Sequence, residues 1–173
     1  MQSKVKVRLV VSVLAALMLA AFSGRAHAQT SYRFTDLGTL GGTWSQAKGV
    51  NNWGHIVGFS TLVPGENTIG VDNRAFFWAN GVMTNLGSLP GGTGSEASAI
   101  NNHDEVVGSC RVPGYVDHAF IWDSVNQMRD LNNLIPAGSG LVLQEATGIN
   151  DLGQIAAIGT YDGVHHRAFL LTP

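Results

Sequence analysis

The feature that most constrains this chain is that it repeats itself. "SQAKGVNNWGHIVGFS" (45–60) recurs as "SEASAINNHDEVVGSC" (95–110) and again as "QEATGINDLGQIAAIG" (144–159). "RAFFW" (74–78) recurs as "HAFIW" (118–122) and "RAFLL" (167–171). "MTNLG" (83–87) recurs as "MRDLN" (128–132), and "FTDLG" (34–38) is a further copy of that element. The equivalent Asn51, Asn101 and Asn150 lie 50 and then 49 residues apart. A period of this size marks one supersecondary unit used several times, with neighbouring units sharing a core.

Each copy reads as four short strands. The first is "QAKGVN", "EASAIN" or "EATGIN", and the second is "HIVGF", "EVVGS" or "QIAAI". The third is the Ala-Phe strand, and the fourth is "GVMTNL" or "NQMRDL". Strands of about five residues between Gly, Asn and Asp turns are an all-β signature. The first turn, Asn51-Asn52-Trp53-Gly54, ends in a residue suited to a left-handed backbone. Asp104 takes the glycine's place in the second copy, and Asp tolerates that conformation better than most residues. Asn51, Asn101 and Asn150 are read as structural, bonding local backbone.

"AFFW", "AFIW" and "AFLL" are apolar at every position, so both faces of this strand should be covered. Phe76, Phe120 and Phe169 would point one way, and Phe77, Ile121 and Leu170 the other. A strand sandwiched on both sides suits radially arranged sheets. The expected fold is therefore all-β, with three four-stranded units of β-propeller type. A β-trefoil-like closed threefold is the alternative. The units span about 39–87, 88–132 and 133–173, and the strand at 32–37 should complete the last one. Three units are fewer than the usual 4 to 8. Either they close tightly, or two chains combine into one larger ring, or the ring stays open.

Residues 1–28 read as a secretory signal. Lys4, Lys6 and Arg8 precede the 14-residue apolar run "LVVSVLAALMLAAF", and "SGRAHA" ends in a small-x-small pattern. The run is short for a membrane span, which needs about 20 residues, so cleavage is expected before Gln29. This leaves a single domain at 29–173, secreted or periplasmic. Losing four cations and no acids moves the net charge from −2 to −6. With six Lys and Arg left, the domain has no footprint for nucleic acid or anionic lipid. Cys110 is the one cysteine. It follows "EVVGS" and reads as a small buried hydrophobe, with an intermolecular disulfide as the alternative.

"HAFIW", "LGTLGG", "LPGGTGS" and "INNHDEVVGS" together resemble the HAF-family extracellular repeat of bacteria. The family takes its name from His-Ala-Phe, here His118-Ala119-Phe120. The resemblance covers Ser31 to Leu171. It implies an exported protein of β-blade-like repeats, and it brings no catalytic residues to carry over. Some members carry a C-terminal Pro-Glu-Pro sorting signal, whereas this sequence reads "LLTP" there. Arg replaces His in the first and third copies, and Ala157 replaces the glycine of "IVG" in the third.

In a repeat protein, scaffold residues recur and function tends to sit where a copy differs. His118 aligns with Arg74 and Arg167. Arg cannot ligate a metal, so the shared role is that of a hydrogen-bond donor or cation to a carbonyl or to Asp36, Asn85 or Asp130. The most variable stretches are the loops between second and third strands, "TLVPGENTIGVDN" (61–73), "RVPGYVD" (111–117) and "TYDGVHH" (160–166). They gather Glu66, Asp72, Tyr115, Asp117, Tyr161, Asp162, His165 and His166. This rim is the expected ligand-contact surface, because loops on a rigid scaffold carry function. No catalytic residue, metal or cofactor is assigned. The leading expectation is a secreted, non-enzymatic module that binds an extracellular or periplasmic partner or glycan, or builds surface structure. The second is a small glycan-active hydrolase or lyase with its site on the rim, and the third an assembly unit, a homodimer in which two chains make one ring.

Overall fold

A computed structural model of the chain describes residues 31–63 and 73–173. Residues 1–28, Glu66 and Asp72 lie outside those residues. The fold is all-β, and its strands lie in one compact unit that begins at Asp36. The first sheet holds β1 (Ser45–Val50), β2 (Ile56–Thr61), β3 (Asn73–Ala79) and β4 (Val82–Asn85). The second holds β5 (Gly94–Ile100), β6 (Val106–Val112), β7 (Val116–Asp123) and β8 (Gln127–Asp130). The third holds β9 (Val142–Ile149), β10 (Ile155–Thr160) and β11 (His166–Leu171). Each sheet is an antiparallel meander with strands in chain order. No helix among the described residues is long and apolar enough to cross a membrane.

The repeated residues explain the repeated geometry. Gly58 faces Phe76 across β2–β3, and Gly108 faces Phe120 across β6–β7. A Cβ on Gly58 would stand 1.9 Å from the Gln46 carbonyl oxygen, and one on Gly108 2.0 Å from that of Glu96. Only glycine fits so close an approach. The third copy has Ala157 here, and its β9–β10 pair carries a second register break, between Ile158 and Gly159. In the first turns, Gly54, Asp104 and Gly153 have φ of 76°, 61° and 72°. The aspartate thus takes the left-handed conformation that its two partners take as glycine.

The sheets stack in chain order. β5 packs on β1, β2 and β3, while β9 packs on β5, β6 and β7. No comparable packing joins the first and third sheets. One core, with Val57, Ala75, Ala97, Val106, Phe120 and Trp122, fills the seam between sheets 1 and 2. A second, with Val107, Ala119, Ile121, Leu143, Ala146 and Ile155, fills the seam between sheets 2 and 3.

Two expectations need correction. Residues 32–37 form no strand, and the third sheet has three strands instead of four. The strand was inferred from sequence likeness to β4 and β8, and a strand also needs a partner edge within reach. The third Ala-Phe strand is also not covered on both faces. Ala75 and Ala119 are 0% exposed, whereas Ala168 is exposed and Leu170 is 66% exposed. The face that carries the next sheet in copies 1 and 2 is open in copy 3.

Candidate functional site

The loop rim is locally satisfied. Asp117 pairs with Arg111 across β6–β7, its two oxygens 2.9 and 3.0 Å from Nε and Nη2. Tyr115 sits at the tip of the same hairpin, 86% exposed, with φ of 60°. Asp162 caps its own turn. It accepts the backbone N–H of His165 and of Val164, the Nδ1 of His165 and the Thr160 hydroxyl. These bonds, led by the backbone N–H of His165, hold its carboxyl well below the usual carboxylate range. His166 opens β11 opposite Thr160, and Tyr161 packs edge-on to Phe169. The described rim acids, Asp117 and Asp162, are thus consumed by their own hairpins. Among the described residues, no three His, Cys, Asp or Glu side chains gather to hold a metal.

Of the described rim residues, Asp117 lines a shared depression. This polar cleft of about 270 Å³ also draws on Lys48, Asn73, Glu96, Arg111 and Glu145. Lys48 Nζ lies 2.7 Å from Glu96 Oε2, and Asn73 Nδ2 donates to Glu96 Oε1. Lys48, Glu96, Arg111 and Asp117 are thus already paired, while Asn73 Oδ1 is buried without a partner.

The recurring residues hold the scaffold. Asn51 Nδ2 donates to the Asn101 carbonyl at 3.1 Å, and Asn101 Nδ2 donates to that of Asn150 at 3.1 Å. One rung further out, the Asn52 N–H donates to Asn102 Oδ1, and the Asn102 N–H to Asp151 Oδ1. Each asparagine also accepts N–H bonds inside its own turn, as Asn101 does from His103 and Glu105. The side chains that close the turns therefore also tie one sheet to the next. His118 Nδ1 lies 2.6 Å from Asp130 Oδ2, while Arg74 donates to the carbonyls of Asn73 and Thr93. Arg167 is exposed. Cys110 is 1% exposed beneath Leu89, whose N–H points at its sulfur. Desolvation pushes its thiol up, and it sits in the core as a small buried hydrophobe.

A larger cavity lies elsewhere. A cleft of about 720 Å³ opens between sheets 2 and 3, at the turn end of the sheets. Ile121, Leu131, Ile155 and Leu171 form its walls, and His103, Glu105, Arg129 and Asp151 stand around them. Its origin is a set of repeat differences. In the seam between sheets 1 and 2, the matching positions carry Trp53, His55, Phe77 and Trp122. His55 meets Phe77 edge-on at 5.2 Å, Phe77 lies 6.1 Å from Trp122, and the Trp53 indole donates to the Asn102 carbonyl. One copy later these become His103, Glu105, Ile121 and Leu171. Smaller or more polar side chains on the same backbone leave the turn end of the seam open, beside the core that fills the rest of it.

This site was missed from sequence. Variable loops stand out in the sequence, but the informative differences lie inside the repeated strands and turns. Arg129 is the one Arg or Lys among the residues that line the cleft. Its Nη2 pairs with Asp123 at 2.8 Å, and its Nε is buried without a partner. At Asp123, partial desolvation raises the carboxyl. Hydrogen bonds from Asn126 and Val125 and the charge of Arg129 outweigh that and leave it lowered. Asp151 is lowered by the backbone and side-chain N–H groups of Asn102. Comparison with protein-family models, curated proteins and solved structures yields no match.

Proposed function

We propose that this protein is a secreted β-repeat binding module, and that the cleft between sheets 2 and 3 holds a small, mainly apolar ligand with one polar or anionic end. The observation that carries this reading is the cleft itself. It occupies the position that aromatic rings fill in the neighbouring seam. Its volume falls within the range of small-molecule sites, roughly 300 to 1,000 Å³. An apolar wall with a few polar groups at the mouth is the usual composition of such sites. Arg129 offers a cation for the polar end.

Binding fits better than proton-transfer catalysis. A general acid at neutral pH needs a raised carboxyl pKa. Asp123 and Asp151 beside the cleft, and Asp162 on the rim, are all held low. The HAF resemblance and the basic-apolar leader support export, and the meandering four-stranded sheets support a blade-type architecture.

The test is to fill the cleft with the neighbouring seam's own residues. Anilinonaphthalene sulfonate is a suitable probe, being aromatic with one anionic end. It should bind the wild-type protein stoichiometrically with enhanced fluorescence. The double variant Ile121→Phe, Leu171→Trp should weaken binding at least tenfold while raising the melting temperature or leaving it unchanged. Equal affinity for both proteins would reject the site. N-terminal sequencing of exported material tests the leader, with Gln29 expected first.

A further inference from the structure

The inner seams and the two outer faces of the stack carry matching halves of one interface. At each seam, the sheet behind presents β1-type residues and the sheet in front presents β2- and β3-type residues. Ala97 and Ala146, on the incoming strands, are 0% exposed. Their counterpart Ala47 on β1 is exposed, and Val50 beside it is 65% exposed. On the receiving side, Val57 and Ala75, then Val107 and Ala119, are 0% exposed. Their counterparts Ala156 and Ala168 are exposed.

The backbone ties show the same unfinished pattern. The next rung of the asparagine ladder starts at Asn150, whose Nδ2 donates to Gln154 as that of Asn101 does to Glu105, but which meets no further carbonyl within one copy. Ser95 receives the Ala75 N–H at 2.9 Å while its hydroxyl donates to the Gly87 carbonyl. Ser45 already makes the matching bond, to the Gly38 carbonyl at 2.7 Å, and the N–H it would receive is that of Ala168. A Cβ on Gly49 would stand 3.2 Å from the Ala99 Cα of the next sheet. Gly148 holds the same position on sheet 3, and a Cβ there would meet only Ala156, at 3.9 Å.

We infer that the third sheet of one copy receives β1 of a second copy, in the register of the inner seams. Asn150 Nδ2 then donates to the Asn51 carbonyl of the second copy, the Asp151 N–H to its Asn52 Oδ1, and the Ala168 N–H to its Ser45 Oγ. The segment 34–37 of that copy comes beside β11 as β4 lies beside β3, pairing Asp36 with Phe169 and Phe34 with Leu171. A second copy is the occupant because the missing surface is one this chain carries, at its other end. No strand of the first sheet packs on the third as the sheets pack at the inner seams. Joining both ends, two copies make a closed ring of six sheets, within the usual 4 to 8.

The experiment is a mass measurement in solution on the full chain and two variants. Ala47→Glu spoils only the incoming face and Ala156→Glu only the receiving face. Both residues are exposed in a single copy, so circular dichroism should show each variant folded. Wild type should have the mass of two copies, and each variant that of one. An equimolar mixture of the two should recover two copies, because one intact seam remains between them. A one-copy wild type at every concentration, or a ladder of masses with no two-copy end point, overturns the closed ring. So does either variant keeping the wild-type mass. A mixture that stays at one copy overturns the head-to-tail arrangement.

Discussion

The seam between sheets 1 and 2 and the seam between sheets 2 and 3 share their backbone ties and differ in their filling. Both have an asparagine donating across to the next turn, a buried alanine on the incoming strand, and a buried alanine on the receiving one. The first adds Trp53, His55, Phe77 and Trp122, and the second has His103, Glu105, Ile121 and Leu171 in their places. The ties and the buried apolar strands hold two sheets in register without the rings, as the second seam shows. Side-chain volume near the turn end is therefore free to vary, and there the molecule carries a cleft. Scaffold and site are separated by position within one repeat, not by domain.

The largest expected effect comes from emptying the filled seam. Trp122→Ala should cost about 3 to 5 kcal/mol, the usual loss for a large buried aromatic. Leu171→Ala, at the matching position beside the cleft, should cost about 1 kcal/mol, because half-burial leaves less apolar area to lose. Urea unfolding of the two variants measures both. Equal losses would mean that the two seams are packed alike and that the cleft is not a real difference.

The ladder should show a smaller contrast. Asn101 is 3% exposed, bonds forward to Asn150 and accepts two N–H groups of its own turn. Replacing it with Ala strands those donors and should cost about 2 to 3 kcal/mol. In a single copy Asn150 serves its own turn and has no rung beyond it, so at protein concentrations that hold single copies Asn150→Ala should cost about 1 kcal/mol. In a two-copy ring, Asn150→Ala should instead approach the cost of Asn101→Ala. Comparing the variants at low and high protein concentration therefore bears on the seam between copies as well.

Much of this was legible in the sequence. The threefold repeat located eleven of the strands that form, and the Asn-x-x-Gly signal located the turns, including the left-handed Asp104. The doubly apolar Ala-Phe strand correctly implied cover on both faces in the two copies that carry the next sheet. Residues 32–37 and Leu170 went wrong for one reason. Likeness to a repeated strand shows what a segment can pair with, but not whether its partner is in reach. The loop rim failed for another. Asp117 and Asp162 look free in sequence, yet each is held by a residue of its own hairpin, Arg111 or His165, and short-range pairing of that kind depends on turn geometry. The cleft was readable in principle, since Trp122 gives way to Leu171 in plain alignment. Its meaning needed the knowledge that the side chains at 77 and 122 face each other across one seam.

The smallest expected effect concerns pH, and it compares two turns of the same design. Asp123 caps the β7–β8 turn beside the cleft, and Asp162 caps the β10–β11 turn on the opposite rim. Both carboxyls are lower in the folded protein than in the unfolded chain. A lowered carboxyl contributes stability that is fully present above the unfolded pKa of about 4 and is lost as pH falls through the folded value. Stability should therefore be flat from pH 7 to about 5 and fall below about 4. Asn keeps an acceptor oxygen for the turn but has no charge to lose. Asp162→Asn and Asp123→Asn should each flatten part of that fall, with little change at pH 7. The Asp123 variant should differ in one further way. Removing the partner of Arg129 frees its guanidinium, so anilinonaphthalene sulfonate should bind more tightly, while Asp162→Asn leaves that affinity unchanged. Titrating the probe against both variants at pH 7 checks this, and equal affinities would detach Arg129 from the cleft.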